Sequence, residues 1–218
     1  VRTEAYTDSH TGLPNKSACE KILNNKEIIT EPTACIMFDL NNLKTVNDTM
    51  GHSAGDQLIM NFARLLRNVI PEEDFVGRYG GDEFMAVIYH TSKAEVEDIL
   101  KYSRREKDRL NGNENPMSID YACGWALSED YKECTMQILL DKADSYMYDN
   151  KQLCKQHTVR CFTERRQADR NCVGGGLKRE RFFYVLFDSA HIRGKPCCHR
   201  CLTLRPAGKS AAGKLPWK

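Results

Sequence analysis

The sequence predicts an α/β fold in which one mixed central β-sheet is flanked by helices. Three observations point there. Helix-period and strand-like apolar segments alternate over the first 155 residues in the order helix, strand, helix, strand, strand, helix, strand, helix. Two of the strands are separated only by a short turn containing Gly80-Gly81, a hairpin signal, because both glycines can take positive φ without a Cβ penalty. Helices fill the other connections, and an adjacent hairpin within the sheet argues against a doubly wound, all-parallel arrangement.

Each element has its own signal. Pro14 suits a first helical turn, and Ala18, Ile22 and Leu23 recur at helical spacing, which predicts a helix over 14–24. Thr33 to Leu40 (TACIMFDL) is an apolar run rich in strand formers that ends with Asp39 near its C-terminus. Ser53 is a candidate N-cap for a long helix carrying Leu58, Phe62, Leu65, Leu66 and Val69 on one face and stopped by Pro71. Strands are predicted at Asp74 to Tyr79 and Phe84 to Tyr89, around the two glycines. Ala94 to Leu110 reads as a charged amphipathic helix and Met117 to Leu127 as a partly alternating strand. Thr135 to Lys151 reads as a helix with Ile138, Leu139, Ala143, Tyr146 and Met147 inward.

Composition divides the chain. Residues 1–155 hold 18 Lys and Arg against 26 Asp and Glu, whereas residues 156–218 hold 14 against 4. The first part is expected to be a single cytoplasmic catalytic domain, since no stretch approaches the ~18 to 20 apolar residues of a membrane span and no secretory signal opens the chain. Cys19, Cys35, Cys123 and Cys134 fall in core-like segments and read as buried free thiols. The chain opens at Val1, close to its first motif, so an upstream sensory or regulatory part, or a membrane part, is expected in a longer protein.

The chemistry-bearing residues are acidic. Asp82 and Glu83 are adjacent on the tip of the predicted hairpin, where an exposed polar loop is the plain alternative. Asp39, near the end of an apolar strand, shifts the balance. If its strand neighbours the hairpin, three carboxylates converge as oxygen-only donors, the preference of Mg²⁺ or Mn²⁺. Glycines at 80 and 81 would let backbone approach a phosphate. The combination points to metal-assisted phosphoryl or nucleotidyl transfer.

The segment Arg78-Tyr79-Gly80-Gly81-Asp82-Glu83-Phe84 resembles the signature of the GGDEF family of diguanylate cyclases. Further segments agree in order and spacing: Thr11 to Asn15 (TGLPN), Phe38 to Asp48 (FDLNNLKTVND), Gly51-His52 through Gly55-Asp56, and Ala143-Asp144 through Tyr148 and Lys151. The resemblance covers roughly residues 8–155 and implies a domain related to the nucleotidyl cyclase and polymerase palm. It implies that two GTP molecules are joined into cyclic di-GMP by attack of a 3′-hydroxyl on an α-phosphate, twice. It also implies a dimer of domains, since one domain binds one GTP, and no nucleic-acid partner for the domain itself.

Site roles follow from the same resemblance. Asp39, Asp82, Glu83 and the Leu40 carbonyl would hold the metal ions; Asn47 and Asp56 would read guanine, the carboxylate accepting from donors that adenine lacks. Lys44, Lys151 and Lys155 would meet the triphosphate, with Leu43, Gly80 and Gly81 on the substrate side and Arg78 near the reacting phosphate. A structural ion pair is the alternative for Arg78, and a solvated helix end for Lys155. Lys155 stands where the family usually has Arg, keeping the charge but losing the bidentate fork. The proton acceptor is left open between Glu83 and a metal-bound hydroxide.

Two departures matter. The family's product-inhibition tetrad is Arg-x-x-Asp, but here it reads Pro71-Glu72-Glu73-Asp74, so feedback through that site is not expected. His10 replaces the usual Leu of the opening turn. The segment beyond residue 155 resembles nothing in the family: it carries Cys197-Cys198-His199-Arg200-Cys201 and a basic excess. A zinc site, a basic arm for nucleic acid or acidic lipid, and a disordered or non-native tail are the alternatives, and the abrupt change of composition favours the tail. Against an active cyclase stands a GTP-binding regulatory module; the complete Asp39, Asp82, Glu83, Asn47, Asp56 and Lys44 set favours the enzyme.

Overall fold

The structure, a computed structural model, describes residues 4–112 and 117–152. Lys155 and the basic segment 156–218 lie outside them.

A short 3₁₀ turn at Glu4–Tyr6 leads into helix α1, Lys16–Leu23. The Asn15 side chain accepts from the Ala18 amide and so starts the helix later than Pro14 suggested; Pro14 instead bridges Thr7. Strand β1 (Ala34–Leu40) follows, with all seven residues buried. Asn42, at φ 63°, turns the chain at once into an unforeseen helix, α2 (Leu43–Met50). Helix α3 (His52–Val69) begins at Gly51, with no side-chain cap, rather than at Ser53. Strands β2 (Phe75–Arg78) and β3 (Glu83–Ile88) form the hairpin. Helix α4 (Lys93–Asn111) opens on a capping box between Ser92 and Glu95. Strand β4 is Tyr121–Leu127, and helix α5 begins at residue 136 and continues to 152, the last described.

The strand order is β2-β3-β1-β4. The α/β class therefore stands, but the three described pairings are all antiparallel where mixed directions were expected. The reason is interleaving. Helices join β1 to β2 and β3 to β4, pairs that run the same way, yet β3 and β1 insert between them, as in split βαβ folds.

Alternation along β1 sorts the core into two layers. Ala34, Ile36, Phe38 and Leu40 belong to a layer with Leu58, Phe62, Leu66, Val96 and Leu100 from α3 and α4. Phe38, Phe62, Phe84 and Tyr121 meet edge-to-face or tilted there, with ring centroids 5.1–6.2 Å apart. Cys35 and Met37 belong to the other layer, with Cys19 and Leu23 of α1 and Leu139, Ala143 and Met147 of α5. Cys19, Cys35, Cys123 and Cys134 are buried thiols outside disulfides, as the composition implied. Helix α5 packs on β4 at Gly124, where an added Cβ would fall 2.1 Å from the Met147 amide nitrogen. Among the described residues no helix is long and apolar enough to cross a membrane.

Candidate active site

The acidic residues gather where β1 ends. Asp39 sits opposite Glu83 in the β1–β3 register, and the Leu40 amide donates to the Asp82 carbonyl at 2.9 Å. Asp39 shares the α5 side of β1 with Met37, one step beyond the apolar layer, and Glu83 shares it by the same alternation. Lys151, one turn beyond Met147 on α5, donates to Asp39 Oδ2 at 2.5 Å. The Asn150 amide group anchors that turn on the Cys123 carbonyl at 2.8 Å.

Asp39 is 7% exposed, yet its Oδ1 is buried without a hydrogen-bond partner. A buried carboxylate oxygen left unpaired is energetically unfavourable. Burial, together with the neighbouring charges of Asp39, Asp82 and Asp144, pushes the Glu83 carboxyl above its ordinary value; Lys151 opposes this in part. The site thus has acceptors in excess of donors and favours an added cation. Its oxygen donors suit a hard divalent ion. Among the described residues no three His, Cys, Asp or Glu side chains enclose an ion by themselves. Mg²⁺ ordinarily takes one or two carboxylates and completes its shell from water and substrate phosphates, so the donor set fits.

The signature turn is braced from below. The Arg78 guanidinium donates to the Gly81 carbonyl at 2.7 and 3.2 Å and to the Asp8 carboxylate at 3.3 and 3.4 Å. This is the ion-pair alternative for Arg78. Asp8 also accepts from the Thr11 amide and hydroxyl. Burial alone would raise the Asp8 carboxyl, but the Thr11 hydrogen bonds and the Arg78 charge outweigh it and hold it below its ordinary value. Sequence reasoning passed over Asp8, although Asp-x-x-Thr before Gly12 is a recognisable turn signal.

A second group of expected residues lies between α2 and α3. Asn47, half-buried, covers Gly55 so closely that an added Cβ would lie 1.9 Å from Asn47 Oδ1. Leu43 lines the same contact, 3.2 Å from that position. Lys44 and Asp56 are exposed on α2 and α3. The His10 Nε2 approaches Asp56, 3.2 Å from its carbonyl and 3.8 Å from Oδ1. So the structure brings Asp39, Asp82, Glu83 and Lys151 together, sets Asn47 against Gly55, and gives Arg78 a bracing position. Lys155 lies outside the described residues.

Residues 5–157 match the family model for the diguanylate cyclase GGDEF domain. The chain is 33% identical over 160 residues to the signaling protein YkoW of Bacillus subtilis, covering 70% of this chain and 20% of that protein. It is 28% identical over 181 residues to the diguanylate cyclase TpbB of Pseudomonas aeruginosa, covering 76% and 41% respectively. The chain thus spans less than half the length of these curated relatives. Among solved structures, the GGDEF domain of DgcB from Caulobacter crescentus, in complex with c-di-GMP, superposes with a TM-score of 0.60 at 28% identity. That match covers 70% of this chain and 93% of that one.

Proposed function

The chain belongs to the GGDEF family of diguanylate cyclases, and from that premise we propose that it condenses two GTP molecules into cyclic di-GMP with release of two diphosphates. The observation that carries the reading is the juxtaposition of Asp39, Asp82 and Glu83 at one sheet end, with an unpaired buried oxygen among them.

Asp39, Asp82, Glu83 and the Leu40 carbonyl would hold Mg²⁺ or Mn²⁺, which when bound neutralises triphosphate charge. Lys44 and Lys151 add positive charge for the phosphates, and Lys155 is proposed to do the same. Lys151 pairs with Asp39 here and would be free to meet a phosphate where metal ions supply the counter-charge of the acidic cluster. Gly80 and Gly81 let the turn's backbone lie close to a phosphate, and Arg78 holds that turn in shape through the Gly81 carbonyl. Asn47 and Asp56, with Leu43 beneath, read the guanine edge; a base lacking the matching donors leaves Asp56 unpaired. In each of two steps, a 3′-oxygen attacks an α-phosphorus and the bond to diphosphate breaks. Glu83, at the reacting end of the cluster, is the chain's own candidate acceptor for the hydroxyl proton.

Each domain offers one such site, so the reaction needs a second copy facing the first. Residues 1–155 are the proposed catalytic unit, and residues 156–218 a separate tail. Feedback through the inhibition tetrad is not proposed. Pro71 replaces its Arg, and the Asp74 carboxylate already accepts from the Tyr89 amide at 2.8 Å. Tight cyclic di-GMP binding lost on mutating Asp74 would contradict this.

The test is purified protein with GTP and Mg²⁺ or Mn²⁺ at high protein concentration, followed by chromatography for cyclic di-GMP. Product from the parent but not from Asp82→Ala or Glu83→Ala is the expected result. A dimeric protein that binds GTP and makes no product would instead mark a regulatory GTP-binding module.

A further inference from the structure

We infer that His10 is a positioning residue for the Asp56 carboxylate and that guanine capture weakens when His10 is protonated. The inference rests on the reading of Asp56 as the guanine-recognising group. His10 stands where the resemblance has Leu, so the contact is a feature of this chain.

The opening turn closes on itself through the Asp8 amide to the Leu13 carbonyl at 2.7 Å and the Gly12 amide to the Asp8 carbonyl at 2.8 Å. It then lies along one stripe of α3. Arg67 donates to the Thr11 carbonyl at 3.3 Å, and His10 Nε2 lies 3.2 Å from the Asp56 carbonyl. Asp56 and Arg67 are three helical turns apart and so share a side of the helix. Two adjacent residues of the turn thus reach separate points on one side of α3, with the imidazole on the point where the base would be read.

The neutral ring with Nε2–H donates to the carbonyl and fixes the start of α3. The protonated ring also places a positive charge 3.8 Å from Oδ1 of the same residue. That charge competes for the lone pairs that guanine N1–H and N2–H would use. The other charged groups nearby are accounted for. Asp8 is held by Thr11 and Arg78, and Arg67 by the Thr11 carbonyl. His52 stands one turn before Asp56 on α3, and α2 brings the exposed Lys44 and Asp48. His52 is a second imidazole beside Asp56 on α3, and His52→Gln serves as its control. Because the pair is partly exposed, a change of about two- to fivefold in affinity is the expected scale.

The experiment measures equilibrium binding of a GTP analogue with a methylene α–β bridge to the full chain. The range runs from about pH 8 to about pH 5.5, across the ordinary histidine value of roughly 6.5. On acidification the parent and His52→Gln should lose about two- to fivefold more affinity than His10→Leu. His10→Gln, which keeps a neutral donor, should match the parent at high pH and His10→Leu in its pH response. The pH-dependent His10 effect should vanish in an Asp56→Asn background, which removes the carboxylate charge and keeps the carbonyl. Identical pH profiles for parent and His10→Leu, or a pH-dependent His10 effect that persists without the Asp56 carboxylate, overturn the inference. If Asp56→Asn leaves the preference over the matching ATP analogue unchanged, the reading of Asp56 fails and the inference with it. If Asp56→Asn abolishes that preference while His10→Leu is silent, only the inference fails.

Discussion

Gly124→Ala should loosen α5 from β4 and disturb the site without touching any carboxylate. A Cβ at this position would lie 2.1 Å from the Met147 nitrogen, 2.4 Å from the Ala143 oxygen and 2.7 Å from the Tyr146 carbonyl carbon. All three are backbone atoms, so no side chain can rotate away. Against ordinary contact beginning at 3.4 Å, the nearest approach is short by about 1.3 Å, and the helix must lift by roughly that much. Lifting thins the contacts of the buried Leu139, Ala143 and Met147. Overpacking of this kind costs on the order of 3 kcal/mol, a large share of a typical ~5–15 kcal/mol stability. Tm should fall by roughly 6–12 °C, and the urea midpoint should drop without a change in slope. Lys151 and Asn150 ride on the same helix, so the Asp39 and Cys123 contacts should loosen and binding of the methylene-bridged GTP analogue should weaken. A Gly124→Ala protein within about 0.5 kcal/mol of the parent would refute the tight seating of α5 as the source of Lys151's position.

The other expectations are narrower. Gly55→Ala collides mainly with the end of the Asn47 side chain, so stability should change by less than about 1 kcal/mol while analogue binding falls more than tenfold, read by titration beside urea melts. Glu83→Gln should raise metal-free stability at neutral pH by about 0.5 kcal/mol, discounted for partial exposure, while abolishing product formation. The sign follows from its raised carboxyl. Stability attached to that group is complete below the unfolded value of 4.5 and is lost as pH rises through the folded value, so the variant's advantage should disappear near pH 4 in urea titrations. Asp8→Asn should destabilise by about 1 kcal/mol at neutral pH, and that difference should shrink on acidification, because a lowered carboxyl stabilises above its unfolded value and loses that contribution as pH falls through the folded one.

Long apolar elements and the acidic cluster were legible because burial imposes a period on the sequence. Strand β1, buried along its whole length, showed as a continuous apolar run, and Asp39 stood out against it. Helix α2 escaped because only Leu43 and Val46 meet the core and the remaining residues are polar, which leaves too short a stripe to show helical period. Strand directions were misjudged as mixed because no local signal says which strand inserts between two others; that is decided by which layers close. Arg78 is a different case. A cation beside a phosphate-binding turn and a cation bracing that turn share one sequence, and only the position of Asp8, seventy residues away, separates them.

The interleaved strand order also sets which contacts must form before the acidic cluster is complete. The β2–β3 hairpin is local and can close early, but Glu83 meets Asp39 only after that hairpin docks beside β1. Lys151 reaches Asp39 across 112 residues of sequence, after β4 has taken the other edge of β1 and α5 has settled on it. Contacts of such separation form late and in concert. A chain that ends at α4 therefore holds Asp39, Asp82 and Glu83 yet lacks the lysine and the helix that complete the cluster. The cluster and its lysine are complete only in the finished domain.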